Sequence, residues 1–215
     1  MAGRRVAVLI SGRGSNLQAL IDASRAPDFG AEIVCALSDE PDAPGLARAR
    51  AAGIPAHTVA RLDHASRSEF ERALDRRLQA DRVELICLAG FMRILSPEFV
   101  HRWVDRILNI HPSLIPAFRG LDTHGRALAA GVRVHGCTVH LVRAELDAGP
   151  IVLQGVVPVL PEDDAAALAA RVLEIEHHCY PLALAQLAAG RLRVVGGRVE
   201  GASPRLVLHP LLSAS

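Results

Sequence analysis

The chain has 215 residues, 50% of them hydrophobic and 22% charged, which is enough apolar material for one filled core and too much for a disordered segment. Its 24 basic and 23 acidic residues leave a net charge of +1, so nothing in the balance draws it toward nucleic acid or an anionic membrane. Every basic residue is arginine, which excludes Schiff-base, pyridoxal-phosphate and Walker-type lysine chemistry and leaves backbone N–H groups or arginine to hold any phosphate.

Arg4–Ile10 is a short apolar run rich in valine, the pattern of a strand buried on both faces. After Gly12, Gly14 and Ser15, Asn16–Ser24 has helical spacing at Leu17, Leu20 and Ile21. Glu32–Leu37 reads as the next strand, Ser38–Pro44 as a loop, and Leu46–Ala52 as a short helix closed by Gly53. Phe70, Leu74 and Leu78 give Arg67–Ala80 one amphipathic face, and Val83–Ala89 is another buried strand. Ser96 and Pro97 read as N-cap and first residue of a helix through Val104. Arg106–Ile110 is a strand ended by His111–Pro112, and the loop to Asp122 carries Pro112, Pro116 and Gly120. A short helix over Thr123–Ala130, an alternating strand over Gly136–Val142, a tight loop over Glu145–Pro150 and a strand over Ile151–Val159 follow. Two helices, Glu162–His178 and Leu182–Ala189, are expected to be split at Pro181. Gly196–Gly197 signals a hairpin within Leu192–Glu200, with a loose tail after it. The order is βαβα and then richer in strands, an α/β fold with a mostly parallel sheet, and no linker divides it.

Seven aromatic residues are too few for a nucleic-acid stacking platform, and four scattered cysteines form no CxxC pair. Arg4–Arg5 precede an apolar run of only about five residues, too short for a signal peptide, and no apolar stretch approaches the ~20 residues of a membrane span. A cytoplasmic protein is expected.

Two places carry chemistry. The loop Ser11-Gly12-Arg13-Gly14-Ser15-Asn16 sits between the first strand and first helix, where helix-start N–H groups face an anion. Leu17 stands where a dinucleotide fingerprint needs glycine or alanine, so the loop suits a monophosphate, or is an ordinary turn capped by Ser15. Asn109 and His111, two apart at a strand end, share one face. A carboxamide can stabilise an oxyanion while an imidazole moves a proton, and no nucleophile stands beside them, because Ser113 lacks a GxSxG elbow. Acyl transfer to an external nucleophile is the chemistry that fits; a turn histidine is the plainer reading. Asp147 would orient the His111 ring and favour its protonated form if the two meet, and is otherwise an Asx-turn residue. His124, His135, His140 and the adjacent His177–His178 show no metal-ligand spacing, and no metal is expected; His140 reads as a hydrogen-bonded structural histidine.

The segments VLISGRGSNLQALIDA, LAGFMRILSPEFV, LNIHPSLIPAF, GLDTH, HGCTVHLV, ELDAGPIVLQ and EHHCYP, in order from Val8 to Pro181, resemble the phosphoribosylglycinamide formyltransferase family. The resemblance implies a single Rossmann-like formyltransferase domain over 1–215, with a phosphoribosyl-binding N-terminal half and a folate-binding C-terminal half. It implies glycinamide ribonucleotide as substrate and 10-formyltetrahydrofolate as formyl-donor co-substrate, in a monomer or homodimer. Gly14, Ser15, Asn16, Leu17 and Gln18 match the phosphoribosyl loop, and Glu176 a carboxylate near the ribonucleotide. Met92, Arg93, Ile94 and Leu95 match a pterin segment used largely through its backbone, and Arg67 an arginine near the folate tail. Asn109, His111 and Asp147 match the catalytic trio, with Asn109 also against folate. Ile115, Arg119, Asp122 and Ala144 depart from the family pattern; Ala144 removes a carboxylate from the folate loop. A deformylase-like hydrolase would carry an added N-terminal domain, and a transfer-RNA formyltransferase an added C-terminal one, for which about 35 residues after Pro181 leave little room. A non-catalytic nucleotide-binding domain would use the glycine loop alone.

Overall fold

A computed structural model describes residues 3–202 and 204–213. The chain divides into two compact units, Met1–Asn109 and Ile110–Ser215.

The first unit alternates strand and helix: β1 (Arg4–Ile10), α1 (Ser15–Ser24), β2 (Ala31–Ser38), α2 (Pro44–Ala51), β3 (Ala56–Thr58), α3 (Arg67–Ala80), β4 (Leu85–Leu88), α4 (Pro97–Arg102) and β5 (Ile107–His111), whose last two residues fall in the second unit. Its strands are all parallel, in the order β3-β2-β1-β4-β5. Val6, Ala7, Val8, Leu9 and Ile10 are 0% exposed, so β1 is covered on both faces, as parallel strands between helices are. From β1 the chain winds outward to β2 and β3 and then returns to build β4 on the other side of β1. Strand order therefore reverses between β1 and β4. At such a point the loops leaving the two carboxyl ends diverge and open a crevice.

The start of α4 follows the predicted chemistry, and α3 is capped in the same way. The Ser66 hydroxyl accepts from Glu69 N at 3.1 Å and caps α3, and Ser96 Oγ accepts from Phe99 N at 3.1 Å and caps α4 behind Pro97. β3 and the 3-10 turn Arg61–Asp63 were not expected; they are too short for a periodic signal.

The second unit contains α5 (Thr123–Ala129), β6 (Val134–Leu141), β7 (Ile151–Pro158), α6 (Ala165–Ala188), the antiparallel pair β8 (Arg193–Val195) and β9 (Arg198–Glu200), β10 (Leu206–Leu208) and α7 (Pro210–Ser213). β6 and β7 are antiparallel, and β10 lies parallel to β7. Two expectations need correcting. Pro181 does not split a helix: α6 runs through it for 24 residues. Proline in a helix interior costs about 3 kcal/mol, but Cys179, Tyr180, Ala183 and Leu184 around it are fully buried, and that packing outweighs the lost hydrogen bond. The stretch after the hairpin is not a loose tail, since Leu206–Leu208 joins the sheet and His209 N donates to Val156 O at 2.9 Å. Ser203, Ala214 and Ser215 of that predicted tail lie outside the described residues. Among the described residues no helix is long and apolar enough to cross a membrane.

α6 packs on β7 across Gly155, where a Cβ would stand 2.7 Å from Cys179 Sγ and 2.8 Å from Ile175 Cγ1. Gly155→Ala is expected to lower stability by about 1–3 kcal/mol through this overpacking, read as a lower urea midpoint.

Candidate functional site

In the first unit the glycine loop leaves β1 at Ser11. Gly14 has φ +70°, and a Cβ on it would lie 2.7 Å from Gly45 Cα. Only glycine lets the turn come this close to the start of α2, where Gly45 N donates to Gly12 O at 3.0 Å. The N-cap of α1 is Gly14, not the Ser15 of the alternative reading as an ordinary capped turn, and no side chain caps the helix. The α1 N-terminus therefore offers backbone N–H groups and a positive dipole end to an anion. Asn16 and Leu17 are buried, while Gln18 Nε2 donates to Asp22 Oδ1 at 3.1 Å.

The segment after β4 lies in the same unit. Met92 and Ile94 are 66% and 62% exposed, against 5% for Leu95. Met92 N donates to Ser11 Oγ at 2.9 Å, and the Arg93 guanidinium binds Asp39 Oδ2 at 2.5 Å and Glu40 Oε1 at 2.6 Å. Arg67 donates from Nε to the buried carboxylate of Glu71 at 3.1 Å. Arg67 and the 92–95 segment thus share the first unit with the glycine loop. Asn109, in the middle of β5, half-buried and two residues before His111, pairs with Leu88 at the end of β4.

In the second unit the structure brings His111 and Asp147 together: Nδ1 is 3.4 Å from Asp147 Oδ2, and both residues are 7% exposed. Nε2 lies 3.2 Å from the Phe118 carbonyl. Both ring nitrogens face acceptors, so an imidazolium donates to both while a neutral ring serves only one. Asp147 takes a left-handed conformation with φ +48°, and its Oδ2 accepts from Gly120 N at 2.9 Å. The turn that carries it closes because residue 149 is glycine: a Cβ there would fall 1.6 Å from Leu141 O. Glu176 is on the buried face of α6 in this unit.

His140 was read as structural, and its Nδ1 does lie 3.2 Å from Leu141 O, yet its Nε2 is also 3.9 Å from Asp147 Oδ1. Burial pushes its pKa down. Ser113, already set aside as a nucleophile, is buried and donates to Ala117 O at 2.7 Å. Asp39 and Phe118 were not singled out from the sequence, and Ser11 and Gly120 were named only as loop residues. Their roles arise from contacts between loops distant along the chain, and a single polar residue in a turn carries no such signal.

Comparison with known proteins adds an independent line. The family described as formyl transferase matches residues 4–184. The phosphoribosylglycinamide formyltransferase of Haemophilus influenzae is 47% identical over 191 residues, covering 89% of this chain and 90% of its own length. The trifunctional purine biosynthetic protein adenosine-3 of Gallus gallus is 51% identical over 190 residues, 88% of this chain but 19% of that protein, so the chain spans under a fifth of this relative. The crystal structure of glycinamide ribonucleotide transformylase 1 from Symbiobacterium toebii superposes with a TM-score of 0.91 at 47% identity, covering 94% of this chain and 95% of that one.

Beside the site, His135 is buried with its ring 5.3 Å from that of His124, edge to face. Burial first, and then the neighbouring imidazole, bring the His135 pKa down to about 4 from 6.5. Between those values the unfolded chain binds a proton that the folded chain refuses, so this contribution to stability is present above 6.5 and lost as pH falls toward 4. The urea midpoint is expected to drop across that interval and to drop less steeply in His135→Gln; equal slopes would assign the loss to other groups.

Proposed function

The chain belongs to the formyl transferase family, and from that premise we propose that it moves the formyl group of 10-formyltetrahydrofolate onto the amine of glycinamide ribonucleotide, a step of purine synthesis in the cytoplasm. The observation that carries this reading is the pairing of His111 Nδ1 with Asp147 Oδ2 at 3.4 Å in a chain that matches a phosphoribosylglycinamide formyltransferase over 90% of its length. The residues suit the two substrates. The uncapped α1 N-terminus at Gly14, Ser15, Asn16, Leu17 and Gln18 suits a phosphate monoester, with Glu176 toward the glycinamide end. Met92, Arg93, Ile94 and Leu95 present backbone groups for a pterin, with Arg67 for the carboxylate tail and Asn109 beside the formyl group.

Chemistry then follows from charge. As the ribonucleotide amine adds to the formyl carbon, negative charge gathers on the formyl oxygen, and the Asn109 carboxamide and the His111 imidazolium stabilise it. The His111 imidazolium gives its proton to the departing folate nitrogen, directly or through water, and the imidazole so formed takes up the proton that the amine loses, so the transfer is balanced without a covalent enzyme intermediate. Asp147 holds the imidazole in place and balances its charge, and the Gly120 N–H bond fixes the carboxylate that does so.

The test is an absorbance assay for the folate product with and without glycinamide ribonucleotide. Turnover is expected only with the ribonucleotide; turnover in water alone would mean a hydrolase, and binding without turnover a sensor. In that assay Asn109→Ala is expected to lose about 10²–10³ in kcat, by analogy with oxyanion-hole deletions. His111→Ala is expected to lose on the order of 10²–10⁴ while folate binding persists, and full activity in it would remove the imidazole from the mechanism.

A further inference from the structure

The segment Met92–Ser96 begins outside any helix or strand, so no backbone ladder holds it where the proposed function needs it. Its fixed points are two buried carboxylates from elsewhere in the first unit. At the start stands Asp39, just past the end of β2, with a fully buried side chain. One of its oxygens accepts from Ser11 Oγ at 2.5 Å and the other from Arg93 Nε at 2.5 Å. Ser11 has given its only proton to Asp39, so its oxygen is left to accept from Met92 N at 2.9 Å. Ser11 N also donates to Gly90 O at 3.1 Å. At the other end stands Glu71, on α3, with a side chain 9% exposed. Its Oε1 accepts from Ser96 N at 2.6 Å and from Arg67 Nε at 3.1 Å, and its Oε2 accepts from the Ser96 hydroxyl.

A buried carboxylate is costly unless its oxygens are filled with donors, and these donors come mainly from the segment and the residues flanking it. The Arg93 guanidinium bonds Asp39 and Glu40 through two of its nitrogens, while Met92 and Ile94 are the most exposed residues of the segment. The direction of every bond in the chain Met92–Ser11–Asp39–Arg93 depends on Asp39 being a two-oxygen acceptor.

We infer that Asp39, seconded by Glu71, is a positioning residue for the folate-binding segment: it sets where the Met92–Leu95 backbone stands without itself touching either substrate. The inference rests on the proposed function for the identity of the ligand, but the clamp is a property of the first unit alone.

Asp39→Asn keeps the volume and leaves one acceptor oxygen, so either Ser11 or Arg93 must face an amide donor. Steady-state kinetics with both substrates, alongside thermal melting, separate positioning from bracing. The expected result is a folate KM raised about tenfold, with the ribonucleotide KM and kcat within about threefold of wild type. Glu71→Gln, which loosens the other end, is expected to act in the same direction and serves if Asp39→Asn does not fold. A lower melting temperature with an unchanged folate KM would make Asp39 a brace only, and equal rises in both KM values would mean general loss of the site; either overturns the inference. Calorimetric titration with tetrahydrofolate gives the same variant-to-wild-type ratio without turnover. A wild-type protein that fails to transfer formyl groups would thus overturn the function, whereas an unchanged tetrahydrofolate Kd in the variants would overturn the positioning role.

Discussion

Five consecutive side chains, Val6 to Ile10, are removed completely from water, and the first unit is arranged around that requirement. A strand hidden on both faces needs helices on each side, and parallel neighbours need crossovers long enough to supply them. The chain can then become polar only where strands end. Ser11, Asp39 and the run from Gly90 to Arg93 are those ends for β1, β2 and β4. Their mutual hydrogen bonds follow from the sheet, because adjacent parallel strands release their chains at the same edge.

In the second unit the corresponding constraint is a turn. Asp147 sits with positive φ in a loop closed by Gly149 against Leu141 O, a conformation unfavourable for aspartate by itself. Gly120 N, His111 and the nearby ring of His140 surround the carboxylate that results. Local strain here is matched by a charged group held in one orientation, as expected where an acid must meet an imidazole at a set distance.

What could be read from the sequence divides along the same physical line. Periodic and local signals were legible: the buried run of β1, the face of α3 at Phe70, Leu74 and Leu78, the Ser96–Pro97 helix start and the Gly196–Gly197 hairpin all stand where local chemistry puts them. Asn109 and His111 could be placed on one strand from the sequence, and β5 carries both, two residues apart. The reading went wrong where tertiary packing overrode propensity, as at Pro181, and where sheet pairing captured a weak strand, as at Leu206–Leu208. Asp147 could be named but not placed from the residues alone, since 36 positions separate it from His111 and nothing in the spacing brings them together. Asp39 was invisible for the same reason: a carboxylate in a turn-rich loop looks like any other until the strands around it are assembled.

β10 has a consequence for behaviour in concentrated solution. It closes one end of the sheet order with three residues, between Pro204–Arg205 and His209–Pro210. An outermost strand normally leaves a row of open backbone groups on which a foreign chain can template itself. Here the row is brief, and the prolines at its borders supply no N–H to lengthen it, so this edge offers a foreign chain few backbone groups to pair with.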